Sequence, residues 1–261
     1  MTNHKIDNIL ALYTQDQRIN TTYPDSRRQV LPHLIRDVAT SADAEGAIIY
    51  STLNEANADA EIRAQIAFFT EMGQNFEWKV YDYDTPPRLH ERLASHGFEV
   101  EEAEAIMVLD LADAPASLFH VSSHDIRRIT HPAELEDVRM IKEAVWQDDA
   151  NNLIAFLTFT LTEHPELMSI YVAYVDGAPA SAAWIYFPEG SQFASLWGGS
   201  TLAEHRGKGL YSGLLAIRAR EAQARGRRFL TVDASPMSRP ILEKFGFVQI
   251  AVSYPCLWTV G

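Results

Sequence analysis

What this chain lacks narrows its reading before any motif is considered. Of its 261 residues one is cysteine, Cys256, so no internal disulfide and no thiolate metal cluster can form within one copy. No stretch of eighteen uninterrupted apolar residues is present, and the first thirteen residues carry no apolar run ahead of a small-residue cleavage site. These absences give the expectation of a cytoplasmic protein with no membrane partner. Basic residues are also scarce: 22 Lys and Arg face 35 Asp and Glu, a net charge of -13, which argues against a nucleic-acid partner. A hydrophobic fraction of 47% is ample for a full core, and the length suits two ordinary domains.

The scarce positive charge is concentrated. Residues 206–244 hold nine Lys or Arg against three acids, a local excess of six. Alone this reads as a solvated helix face; beside a glycine turn it also suits a polyanion. That turn is Arg206-Gly-Lys208-Gly-Leu210-Tyr211. Helix starts present unpartnered N–H groups and partial positive charge, glycines let an anion approach the main chain, and the two cations add charge at the rim. Tight packing of a strand-to-helix turn is the alternative use of the same glycines.

Other phosphate motifs fail on spacing. A nucleoside-triphosphate loop would need glycine at Leu202 and Ser or Thr at Gly209. A dinucleotide fingerprint finds Ser212 where its third glycine belongs, and one strand-helix-strand unit after the turn is too little for that fold. His120 and His124 have the i, i+4 spacing of a helical metal pair, but the intervening glutamate is missing and both fall in a linker, so no metal is expected.

Periodicity predicts a helix over 60–72, a strand over 76–83, a helix through Leu89 and Leu93 ended by Gly97, and a strand over 105–111. An irregular segment, 112–123, places a domain boundary near 118. Beyond it the order is βααβββαβαβ, with Asp176-Gly177 as a tight hairpin turn. A shift of 149 residues sets Asp84 on Asp233, Pro87 on Pro236, Leu93 on Leu242, and Gly97-Phe98 on Gly246-Phe247. This echo suggests a diverged duplication, in which Asp84 and Asp233 would share a turn-stabilising role.

Residues 206–210 resemble the signature Q/R-x-x-G-x-G/A of the GNAT superfamily of N-acetyltransferases, which this chain leaves only at Tyr211. The element order over 125–258 and the junction Leu242-Glu-Lys-Phe-Gly246-Phe247 resemble that family too. The resemblance implies an α/β fold with a mixed sheet, in which 119–261 is an acetyl-CoA-binding domain and 1–118 a degenerate acetyltransferase-like domain without its own cofactor. It implies direct transfer of an acetyl group from acetyl-CoA, as cosubstrate, to a primary amine of a small acceptor. In the cofactor site it places main-chain groups of Gly199, Ser200 and Thr201 along the pantetheine arm, Arg206, Gly207, Lys208, Gly209, Leu210 and Tyr211 around the pyrophosphate, and Ser235 nearby; a cap before Pro236 is the other use of that serine. The family's usual tyrosine acid is absent, because Leu242 stands there. Tyr254 and Tyr211 are the hydroxyls to consider, with Glu204 and His205 flanking the turn. Asp148 and Asp149, between the first two helices, would favour a cationic amine. A non-catalytic acyl-CoA binder or sensor of the same fold stays open, as does a homodimer.

Overall fold

The computed structural model describes residues 3–41 and 44–260. In chain order the helices and strands are α1 (Asn3–Tyr13), running into a π-helix (Thr14–Asn20), β1 (Ser26–Val30), β2 (Leu34–Ala39), β3 (Gly46–Ser51), α2 (Ala58–Met72), β4 (Phe76–Tyr81), α3 (Leu89–Ser95), β5 (Glu99–Val100) and β6 (Glu104–Asp110). There follow β7 (Asp125–Ile129), α4 (Leu135–Trp146), α5 (Asn151–Glu163), β8 (Met168–Val175), β9 (Ala178–Tyr186), β10 (Phe193–Thr201), α6 (Leu210–Ala224), β11 (Phe229–Ala234), α7 (Arg239–Lys244) and β12 (Val248–Trp258). From β7 onward the order is the expected βααβββαβαβ. Periodicity predicts none of the strands and helices before α2.

The chain packs as two compact units built from non-contiguous stretches. The first comprises Met1–Met107, Asp233–Arg239 and Gln249–Gly261; the second comprises Val108–Val232 and Pro240–Val248. The division runs through β6 and β11. Residue 118, the boundary expected from composition, lies inside the second unit, where Leu118 is fully buried on a 3-10 turn packed against α6.

In the first unit the strand order is β1-β2-β3-β4-β12, with β5 on β12. β3 and β4 run parallel, over three rungs from Gly46↔Phe76 to Ile48↔Trp78. Phe69 of α2 stacks on Phe76 at 4.2 Å and fills the space over Gly46, where a Cβ would come within 2.2 Å of the ring. That contact joins α2 to the sheet through aromatic burial. Beyond Ile48 a bulge leaves Ile49 without a β2 partner in register.

In the second unit the order is β11-β10-β9-β8-β7. Asp176 and Gly177, at φ 52° and 82°, close the β8–β9 hairpin with Val175 opposite Ala178, as the dipeptide foretold. β10 and β11 also run parallel for three rungs, Phe193↔Phe229 to Ser195↔Thr231, and β10 then bulges between Trp197 and Ser200. Each unit therefore carries a short parallel ladder beside a bulged strand.

The internal echo holds at the helix-to-strand junctions. Gly97 and Gly246 adopt φ 96° and 87°, and the N–H groups of Phe98 and Phe247 donate to Leu93 and Leu242 carbonyls, both at 3.2 Å. It fails at the aspartates. Counted from the first ladder rungs, Phe76 and Phe229, Asp84 lies beyond the end of its strand while Asp233 lies within β11. Asp84 accepts two 2.8 Å bonds from Arg18, whereas Asp233 pairs with Lys79 at 2.5 Å. They share no turn-stabilising role.

Candidate functional site

The turn ahead of α6 is built as its spacing suggests. A 3-10 turn, Ala203–His205, brings the chain off β10, and Gly207 and Gly209 then take φ 73° and 85°, left-handed values that favour glycine. The first helical bond of α6 runs from Gly213 N–H to Gly209 carbonyl, and no side chain caps the helix. The N–H groups of Leu210, Tyr211 and Ser212 therefore have no partner within the helix, at its positive end. Arg206, Gly207, Lys208 and Gly209 are all exposed around it, and Leu210 is buried as the anchor. Arg206 also bends back, its Nε donating to the Thr201 carbonyl at 3.2 Å.

His124, which spacing suggested only as half of a metal pair, completes this rim. Its Nε2 lies 3.3 Å from where a Gly209 Cβ would stand. The segment that carries it packs so closely that a Cβ on Gly213 would meet Ser122 Oγ at 2.8 Å. His120 and His124 do not share a helix, and no group of three metal-ligating side chains occurs among the described residues.

β10 supplies the second element. After Ser195 it has no ladder partner in β11, and it bulges between Trp197 and Ser200, where Gly198 and Gly199 lie. A Cβ on Gly198 would fall 2.0 Å from the Trp184 ring, and one on Gly199 would fall 2.9 Å from Tyr211. Glycine is required at both by close approach. Of the three residues expected along the pantetheine arm, Gly199 lies in the bulge with no rung to β9. The Ser200 carbonyl already accepts from Ser181 Oγ at 2.8 Å, and the Thr201 carbonyl from Arg206; each oxygen keeps a second lone pair.

Behind the bulge lies Arg218, 2% exposed on α6. Its Nη1 donates to the carbonyls of Trp184 and Trp197, the last rung before the bulge, at 3.1 and 3.4 Å, and its Nε to Leu214 at 2.9 Å. No carboxylate pairs with it among the described residues, and burial pulls its pKa down to about 10. Charge alone places Arg218 in a basic run. The structure makes it an internal strut between α6 and the bulged strand. Others in that run are also engaged: Arg225 pairs with Glu221, Arg227 donates to the Ser191 carbonyl, and Arg228 pairs with Asp110. The run is thus not one polyanion-binding face.

The Tyr211 hydroxyl is raised by burial, and the charge of Arg218 opposes that rise. Tyr254 belongs to the other unit, where its ring stacks on His90 at 4.0 Å. Ser235, also in that unit, accepts from Ser238 N–H at 3.3 Å and so serves as a turn residue. Glu204 is exposed; the Nδ1 of half-buried His205 is enclosed and has no hydrogen-bond partner.

Facing β9 and β10 from the other side is the end of α4. Trp146 donates from Nε1 to Ser200 Oγ at 3.1 Å while 62% of it stays exposed. Lys142, one turn earlier, holds its Nζ 4.8 Å from the Trp146 ring centroid and 6.0 Å from that of Trp184. After Trp146 come Asp148 and Asp149, both exposed. Asp148 accepts from Asp149 N–H, and Asp149 accepts from both the backbone and side-chain amides of Asn151, which starts α5. Both carboxylates shape the loop and keep lone pairs toward solvent.

Solved structures now give this geometry a context. A GCN5-related N-acetyltransferase from Kribbella flavida superposes with a TM-score of 0.66, at 13% identity, covering 97% of this chain and 94% of its own. The fold is that of the GCN5-related N-acetyltransferases. A tandem GNAT protein from the clavulanic acid biosynthesis pathway matches with a TM-score of 0.59 and 13% identity, over 93% of this chain and 86% of its own. An acetyltransferase of the GNAT family, described as putative, from Novosphingobium aromaticivorans matches at 0.56 and 16% identity, over 85% and 87%. No family model and no curated protein matches the sequence. The mixed α/β GNAT fold implied by the signature at 206–210 is therefore present. No helix among the described residues is long and apolar enough to cross a membrane.

Proposed function

We propose that this protein is an acetyl-CoA-dependent N-acetyltransferase acting on a primary amine of a small, cationic acceptor. One observation carries the reading: the bulged strand β10 and the uncapped start of α6 are joined by the 206–211 turn, with two left-handed glycines and unpartnered N–H groups. Such a turn takes the pyrophosphate of CoA, with Arg206 and Lys208 at its rim, while Gly199 offers its main chain to the pantetheine arm. The neutral amine of the acceptor attacks the thioester carbon and CoA leaves as the thiol. Asp148 and Asp149, open to solvent, would draw a cationic amine toward the end of α4. Tyr211, at the turn, is the hydroxyl that best suits protonation of the leaving sulfur; Tyr254 and Ser235 are weaker choices because of their stacking and turn roles.

In the same reading, 119–261 descends from the catalytic copy and 1–118 from a degenerate one. What supports degeneracy is the sealing of the first copy. Arg18 wedges into the bulge of β3, donating to the freed Ile49 carbonyl at 3.1 Å, while its guanidinium binds buried Asp84 and lies 3.8 Å over the Tyr81 ring. The α2 start, which corresponds to the cofactor turn, carries Asp59 and Glu61 in its first turn, and Asn54 Oδ1 accepts from the N–H groups of Ala56 and Asn57 just ahead of it. Neither feature welcomes an anion.

A second reading, a non-catalytic acyl-CoA sensor, is favoured by one residue: Leu242, fully buried, stands where the family's acid would be. Thiol release from acetyl-CoA across a panel of amines, beside a calorimetric titration, separates them. Binding of one acetyl-CoA per chain with acceptor-dependent thiol release is expected. Binding without any release would establish the sensor, and absence of binding would defeat both.

A further inference from the structure

The chain has five lysines: Lys5, Lys79, Lys142, Lys208 and Lys244. Lys79 is held by Asp233 and Glu104, and Lys208 and Lys244 are exposed. Lys142 differs from these. It is half-buried, has no carboxylate partner among the described residues, and points its amine among indole rings. Burial lowers its pKa, so a larger share of it is the neutral amine.

Its neighbours tie it to the strand already assigned to the acyl arm. Trp184, one of the two rings beside the amine, packs against Gly198 of the bulge. Trp146, the other, is fastened to Ser200 two residues further along β10. Trp197 stands opposite Trp184 in register and so emerges on the same face, 42% exposed. The half-buried Lys142 amine, on a flexible four-carbon stem, is thus held beside two indole rings that contact the Gly198-to-Ser200 segment.

We propose that Lys142 is a self-acetylation site. Resting on the acetyl-CoA reading above, the step is that reading's own chemistry turned inward. The Lys142 Nζ lone pair attacks the thioester carbonyl carbon, the carbon–sulfur bond breaks, and the sulfur takes the proton given up by nitrogen. One acetyl-CoA and one lysine become one acetyl-lysine and one CoA thiol. The product amide is neutral and bulkier, and it sits between Trp146 and Trp184, beside the loop of Asp148 and Asp149. Acetylation at this position therefore closes the approach from the α4 side when no acceptor is present.

The experiment incubates the full chain with acetyl-CoA and no acceptor, then maps acetylation at each lysine by tandem mass spectrometry, with calorimetry of acetyl-CoA binding run in parallel. Stoichiometric acetylation at Lys142, at least ten times faster than at exposed Lys208 or Lys244, is the expected result. Lys142→Arg, which keeps the cation and the packing, should bind acetyl-CoA as before and acquire no preferred site. Binding without preference for Lys142 overturns this proposal and leaves the acetyl-CoA reading standing. No binding removes both.

Discussion

Arg18 and Asp84 offer a quantitative test of how the first unit is closed. Their bidentate pair, two bonds of 2.8 Å with side chains 2% and 3% exposed, has no solvent to fall back on. Burial alone would lower the Arg18 pKa, but the bonds to Asp84 and its charge raise it above the ordinary value. Replacing Arg18 by Met keeps most of the side-chain volume but leaves Asp84 as a buried carboxylate whose one remaining bond here is from Tyr81 N–H at 2.9 Å. Breaking one side of a buried pair costs about 3–5 kcal/mol. The Ile49 carbonyl, also deprived of its donor, adds about 1 kcal/mol. Against a total stability of about 5–15 kcal/mol, that is a large fraction. Urea denaturation should show the midpoint falling sharply for Arg18→Met and for Asp84→Leu. The double variant, with no charge left, should be more stable than either single one. Hydrogen exchange at the Tyr81 amide gives a local reading of the same loss. Single variants within about 1 kcal/mol of the parent, or a double variant equal to their sum, would refute the reasoning.

Two further outcomes concern the second unit. Gly199→Ala places a Cβ 2.9 Å from the Tyr211 ring, and overpacking of this kind costs about 1–3 kcal/mol; if it is felt at the acyl arm, calorimetric affinity for CoA falls about tenfold, and unchanged affinity would remove Gly199 from the site. Glu134 accepts from the N–H groups of Thr130 and His131, both at 2.9 Å, and these bonds lower its pKa below 4.5. A depressed carboxylate stabilises the fold above its unfolded value and loses that contribution as pH falls through its folded value. Glu134→Gln should therefore cost about 0.3–0.5 kcal/mol at neutral pH, the exposed charge being screened by solvent, and less as pH falls through the folded value, by denaturant titration at each pH; a cost independent of pH would show that the charge plays no part.

The turn at 206–211 was legible because its requirements are local. Two glycines at positive φ and a helix start announce themselves in four residues, as does the Asp176-Gly177 hairpin. The strands β1 to β3 were not legible, because β2 is buried at every position and includes Arg36 and Asp37, so it shows neither alternation nor an apolar run. Arg218 was misassigned for a related reason: sequence shows charge, but not that two carbonyls at the rung beside a bulge will accept it. His124 and Lys142 take their meaning from distant neighbours, Gly209 and Trp184, and no spacing rule connects them. Asp84 and Asp233 aligned by number but not by place in their strands, since an ungapped shift cannot absorb a change in loop length.

The return of β12 to the first unit also bears on the birth of the protein. Cys256 pairs with Trp78 and Trp258 with Phe76, so the first unit's core is completed by residues translated long after β4. At ribosomal rates of about 5–20 residues per second, the aromatic face of β4 waits on the order of ten to thirty seconds for its partner strand. During that interval its edge is open while the whole of the second unit is being made. Until β12 arrives, the packing of Phe69 of α2 on Phe76 is what covers this part of β4.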